Sequence, residues 1–319
     1  MIRRFTCVLL LFLVFSCAEE DQREQEIAGI PVEVEITRFD REFAEASPSD
    51  LPELKENYPF LFPQQFPDEV WIDKINDTIQ LEINREVAKA YPDLSKTKDE
   101  LHSFFQHVKY YFPNTEIPRV ITLTSDVDYR NKVIWEQNLL LISLDTYLGQ
   151  EHHFYTGIQE YIKKNFEQEQ IVSDVADVFA ENLVERPSSR TFLAHTIYYG
   201  KILYLNDLLI PFKTDAQKIG YSPEELQWAE ANEEQMWRYF VDKELLFNTS
   251  SDLQSRFLFP APFSKFYLEL DAESPAKVGQ FIGWQIVRQY MDKNEVSVQE
   301  FLGTDAETIF NKSNYKPKK

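Results

Sequence analysis

Residues 191–211 read TFLAHTIYYGKILYLNDLLIP, an apolar helical run that holds one histidine, His195. A helix carrying His-Glu-x-x-His binds zinc because positions i and i+4 share a face, so both imidazoles reach one ion while the glutamate activates water. The equivalent letters here are His195-Thr196-Ile197-Tyr198-Tyr199. Thr196 cannot act as a carboxylate base, and Tyr199, a phenol with an ordinary pKa of about 10, is a poor zinc ligand at neutral pH. Read from its residues alone, the segment is a core helix over about 189–209. His195 then shares an apolar stripe with Phe192, Tyr199 and Ile202 and is expected to be hydrogen-bonded in the core.

The flanks of this helix set the fold class. Ahead of it, RVITLTSD and NLLLISLDTYLG are continuous apolar runs that read as buried strands, with DVDYRNKVIW as a turn and strand start between them. Val32, Val34 and Ile36 alternate with polar residues, the period of a half-buried strand. Pro52, Pro59, Pro63 and Pro67 break their segment into short helical turns. Further helices are expected in TIQLEINREVAKAYPDL, with Ile79, Ile83 and Val87 on one face, and from a Thr97–Glu100 capping box to a stop before Pro113. QIVSDVADVFAENLVERP reads as a helix ending at Pro187. Behind the opening stretch, Ser222-Pro223-Glu224-Glu225 starts a helix expected to run through WAEANEEQMWRYFVDKELL. SPAKVGQFIGWQIVRQYM places Gly279 and Gly283 on one helical face, which permits close approach of a neighbour. The class is therefore α+β, predominantly helical with a small sheet.

The chain has 319 residues, 43% of them hydrophobic, and a formal net charge of −20. That charge repels nucleic acid and anionic headgroups, so no nucleic-acid partner is expected. Arg3 and Arg4 precede an apolar stretch, Phe5–Phe15, too short for a permanent span. Val14-Phe15-Ser16-Cys17 follows, and resembles a bacterial lipoprotein signal. Residues 1–16 are expected to be removed and Cys17 lipidated, which leaves no second cysteine for a disulfide. Residues 17–30, acidic and poor in apolar residues, read as a tether, and 31–319 as one domain. An ordinary secretory signal is the alternative.

No nucleophile elbow, phosphate loop or dinucleotide fingerprint occurs. His152 and His153, being adjacent, are expected to point apart, and His102 and His107 share a face poorly. Asp126 and Asp128 in SDVD read as a solvated turn. No cofactor is expected.

Several stretches together resemble a known family: the lipoprotein signal, LPELKENYPFLFP, VITLTSDVDYRNKVI, TFLAHTIYYGKILY, KIGYSPEELQWAEANEEQMWRYFV, APFSKFYLELDAESPAKVGQFIGWQIVRQYM and NKSNYKPKK. They look like the gliding-motility lipoprotein B family of Bacteroidetes. The resemblance implies an envelope protein held in the outer membrane by a lipid anchor and needed for gliding, with partners in the motility and type IX secretion machinery. A fainter resemblance, over the second half, is to zinc peptidases of zincin-like fold. It places His195 on the first ligand position, Thr196 on the base, Tyr199 on the second ligand and Glu234 on the third, with Pro275, Gly279 and Gly283 in the closing helix. It implies a scaffold whose catalytic residues are lost, with His195 and Glu234 meeting in the core. The rival readings are a zinc metallopeptidase with an atypical site and, from the abundant Tyr and Trp, a glycan-binding module.

Overall fold

A computed structural model describes residues 22–268 and 271–318. Cys17 and the signal segment lie outside the described residues.

The Phe192–Leu209 helix is the strut of the fold. It is apolar on most faces because it is buried on most faces. Ile202, Leu205 and Leu209 belong to one apolar cluster, with the sheet and the helices Ser95–Tyr111 and Ile171–Leu183. Phe192, Leu193, Ile197 and Leu203 belong to a second, with the Val278–Lys293 helix and the C-terminal helices Val298–Gly303 and Ala306–Ser313. The helix starts at Phe192 rather than near 189, and Thr191 caps it: its hydroxyl accepts from the Ala194 N–H at 3.3 Å.

The strut and the Val278–Lys293 helix approach almost backbone to backbone. A Cβ built on Gly283 would run into the carbonyl of Thr196, and its next contacts, the Thr196 carbonyl carbon at 2.8 Å and Cγ2 at 3.1 Å, leave no space around it. A Cβ on Gly200 would run into the backbone of Gly283 and stand 3.0 Å from the Trp284 nitrogen. Gly279, the other glycine of the expected face, looks instead at Leu258, Phe257 and Phe192.

The sheet has four strands in the order β1-β2-β4-β3: β1 Ile36–Thr37, β2 Arg119–Leu123, β3 Val133–Glu136 and β4 Leu139–Ser143. β1 and β4 run parallel to β2, and β3 runs antiparallel to β4. Val120, Ile121, Leu140 and Ile142 are all buried, as continuous apolar strands require. The alternation at 32–36 yields only a two-residue strand, because just Ile36 and Thr37 reach the ladder opposite Val120 and Ile121.

Several expectations need correction. Residues 22–28 are helical and docked rather than a tether: Ile27 is buried, and the Gln106 amide donates to the carbonyls of Ala28 at 2.8 Å and Ile30 at 3.0 Å. Ile79 is 64% exposed; the inner face of the Thr78–Ala90 helix is Gln80, Ile83 and Val87 instead. The helix expected at Thr97 starts at Ser95, where Asp93 accepts from the Ser95 N–H, and Thr97 is buried inside it. The Ser222 capping box forms as expected, but the helix behind it breaks at Asn232 into Pro223–Ala231 and Glu233–Asp242. The break lets the second segment turn Glu233, Met236 and Phe240 inward.

Candidate functional site

The four peptidase-like positions, His195, Thr196, Tyr199 and Glu234, do not converge on one point. His195 is half-buried, and neither ring nitrogen makes a hydrogen bond among the described residues. Loss of solvent lowers its pKa. It is therefore not the hydrogen-bonded core histidine that the apolar stripe suggests. Thr196 is buried against the glycine seam, and its hydroxyl is unpartnered. Tyr199 lines a cavity, and burial pushes its phenol up to about 12. Glu234 does not meet His195: it accepts from Arg238, one turn on, at 3.0 Å. The buried glutamate is its neighbour Glu233, which accepts from the Tyr315 hydroxyl at 2.7 Å and the Lys318 N–H at 3.2 Å. Among the described residues no three His, Cys, Asp or Glu side chains are grouped to hold a metal.

The other histidines are placed as follows. His152 and His153 do not point apart. Their rings lie 4.5 Å centroid to centroid and reach Glu86 at 3.3 Å and Glu82 at 3.0 Å, one turn apart on the Thr78–Ala90 helix. His107 is pinned between the Ser103 carbonyl and Glu24. In the SDVD turn Asp126 pairs with Lys74, while the buried Asp145 carboxylate accepts from the N–H groups of Ser125 and Val127. Trp228 and Trp237 pack against the C-terminal core, Trp237 edge-on to Tyr315 at 5.0 Å.

The chemically richest place is a pair of adjacent cavities beside the strut, of about 370 and 280 Å³. Both fall near the lower end of ligand-site sizes. Asp177, Ile219, Pro260 and Lys277 line both. Asp174 and Asp177 come from the Ile171–Leu183 helix, whose apolar face faces the sheet while these two acids lie on another side. Lys132 and the Tyr147 hydroxyl hold Asp174, the latter at 2.7 Å. Asn206, on the strut, donates to Asp177 at 2.6 Å. Lys277 precedes the Val278–Lys293 helix in a left-handed conformation, φ 59°, and its ammonium donates to the Ile219 carbonyl.

Burial, with Asp174 nearby, raises the Asp177 pKa to about 7, and burial, with Lys164 nearby, lowers that of Lys277 to about 8. Perturbed pairs of this kind in a cavity mark functional-site candidates. The stability consequence has a definite sign. A folded-state pKa raised above the ordinary 3.8 stabilises below that value, and the contribution is lost as pH rises through about 7. Asp177→Asn keeps an acceptor for Asn206 and never ionises. It should therefore melt close to wild type at about pH 5 and several degrees higher at about pH 8.5. Thermal unfolding at the two pH values checks this, and an equal difference at both would refute it.

Sequence reading missed this site, although it left signals: two aspartates one turn apart in a helix rich in apolar residues, and a lysine two residues after Pro275.

A sequence model of one protein family, described as gliding motility protein GldB, matches residues 20–317. No curated protein and no solved structure matches the chain. The match takes in nearly every described residue, including the strut, the glycine seam and both cavities. The chain belongs to the gliding motility protein GldB family.

Proposed function

We propose that the gliding role that comes with this family is performed by a lipid-anchored envelope protein that acts through protein partners and not by catalysis. The observation that carries the reading is the family match over residues 20–317. The anchor is Cys17, placed by the apolar stretch and the residues just before it. Among the described residues no helix is long and apolar enough to cross a membrane. One acyl chain binds a membrane only marginally, so stable anchoring takes more than one. The outer membrane is the proposed location, and the partners are components of the motility and type IX secretion machinery.

The non-catalytic part is supported by the side chains at the peptidase-like positions. One imidazole flanked by a threonine and a phenol supplies too few of the three protein donors usual in catalytic zinc sites, and Glu234 is engaged by Arg238. On this reading the strut and the Val278–Lys293 helix are a zincin-like scaffold kept without its chemistry.

The test is genetic and analytical together. Cells carrying His195→Ala with Glu234→Ala should still glide, and the purified wild-type protein should hold no stoichiometric zinc. Cells carrying Cys17→Ala should lose both membrane retention and gliding. Stoichiometric zinc that vanishes with His195→Ala, alongside lost gliding, would establish the metallopeptidase reading instead.

A further inference from the structure

The larger cavity beside the strut has a charge balance opposite to that of the whole chain. Arg130, Lys132, Lys164 and Lys277 line it against only Asp174 and Asp177, in a protein of net charge −20. Two of the four cations are already compensated, Lys132 by Asp174 and Lys164 by Glu225. The other two are not. The Lys277 ammonium donates to the neutral Ile219 carbonyl and has no ion-pair partner, the carboxylates of Asp177, Glu225 and Asp174 acting on it only from farther off, and the Arg130 guanidinium has no partner among the described residues.

The Lys277 charge is held in place against burial and two further costs. Lys164 and Lys277 stand over the same ring, Tyr221, at 5.8 and 5.7 Å, so two ammonium groups share one aromatic. Their mutual repulsion opposes the charge on Lys277. Lys277 is also held at φ 59°, a conformation that a residue with a side chain adopts rarely. Strain that persists where the surroundings over-determine it clusters at ligand sites. The Val278–Lys293 helix begins at this wall and adds the positive end of its dipole. An anion in the cavity would relieve the repulsion and satisfy Lys277, while Tyr129 and Tyr161 on the wall can cover the body of the molecule that carries it.

We propose that this cavity binds a small oxyanion, a phosphate or carboxylate group, held by Lys277, Lys164 and Arg130. None of the degenerate zinc positions lines this cavity, although Tyr199 lines its neighbour, and the proposal does not rest on the motility reading.

Titration calorimetry of the full-length protein in detergent tests it, with inorganic phosphate and succinate as probes and chloride at matched ionic strength as control. One-site saturable binding of phosphate, succinate or both is expected, and the preference between them identifies which group the site takes. Lys277→Met should weaken binding about tenfold or more, as loss of a charge-assisted hydrogen bond does. Arg130→Gln, a change at an exposed side chain, should weaken it by a smaller factor. Heats no larger than those of chloride would overturn the proposal. So would unchanged affinity in Arg130→Gln, and that variant decides the matter alone if Lys277→Met does not fold.

Discussion

Gly283→Ala should leave the protein unfolded or only loosely folded at ordinary temperature, and Gly200→Ala should come close to it. The added methyl of residue 283 would lie against the Thr196 carbonyl, and that of residue 200 against the backbone of Gly283. Overpacking a well-filled core costs about 1–3 kcal/mol when side chains can move aside. Here the obstacle is backbone on both sides, so the two helices must separate. Separation opens the contact by which the strut joins its second apolar cluster. The expected loss is at or above the top of that range, about 3 kcal/mol or more. Gly279→Ala should cost less, because two of its three near contacts are side-chain ends, Leu258 Cδ2 at 2.8 Å and Phe192 Cζ at 3.1 Å. Gly303→Ala is the control: nothing lies within 4 Å of its added carbon, and its stability should stay within about 0.5 kcal/mol of wild type. Urea unfolding of the four variants gives the order directly. A Gly283→Ala midpoint equal to that of Gly303→Ala would show that the seam is not closed as described.

This seam shows how far the sequence alone reached. Gly279 and Gly283 were legible as a close-packing face because their spacing is a helical period and glycine in a helix needs a reason. Their partner was not: Gly200 lies between Tyr199 and Lys201 in a helix buried on most of its faces, and nothing local says which face meets which element. The strands at 119–123 and 139–143 were legible as continuous apolar runs, while the parallel pairing of β1 and β4 to β2 depends on tertiary placement. Ile79 was misjudged for a related reason. Helical periodicity fits both a stripe through residue 79 and one through Gln80, and the choice between them was made by the Gln80 amide, which donates to Thr124 at 3.0 Å across the body. At the candidate site the outcome divides in the same way. The loss of zinc ligands could be read from residue types at fixed spacing, whereas the lysines at 132, 164 and 277 are brought together from three distant segments. The polar pair Asn206-Asp207 near the end of the strut was the signal left unused. Asn206 leads to Asp177 in the cavity, and Asp207 leads to an ionic network with Lys218, Arg288 and Asp215.

Asp207→Ala should destabilise the fold nearly as much as the seam variants, by a different route. The carboxylate accepts from Trp284 Nε1 at 2.8 Å, from Arg288 Nε at 2.7 Å and Nη2 at 2.6 Å, and from Lys218 Nζ at 3.0 Å. Trp284 is fully buried, so the truncation strands an indole N–H in the core. The Arg288 guanidinium lies 3.7 Å from the centre of the Trp284 ring, which fixes its plane, and it cannot swing out to water without giving up that stacking. Breaking a fully buried pair by removing one partner costs about 3–5 kcal/mol, because the remaining charge is left uncompensated; this pair is part-buried, with side chains 29% and 17% exposed, which places it toward the low end. Asp215 moderates this: it holds Arg288 Nη1 at 2.7 Å and Lys218 at 3.5 Å, so one carboxylate survives and the expected loss lies near the lower bound, about 3 kcal/mol. Asp207→Asn should fall between wild type and alanine, since one acceptor remains for Trp284 or Arg288. The network also responds to acid. Burial opposes ionisation of Asp215, yet Arg288 outweighs it and holds that carboxyl below its ordinary 3.8. Stability from a depressed carboxylate is complete above the unfolded value and is lost as pH falls through the lower folded one. Asp215→Asn should therefore lower the urea midpoint at neutral pH, and its difference from wild type should shrink as the pH drops well below 3.8. A midpoint unchanged by Asp207→Ala would mean that the three donors find water or other acceptors, and that the strut and the Val278–Lys293 helix are held by apolar contact alone.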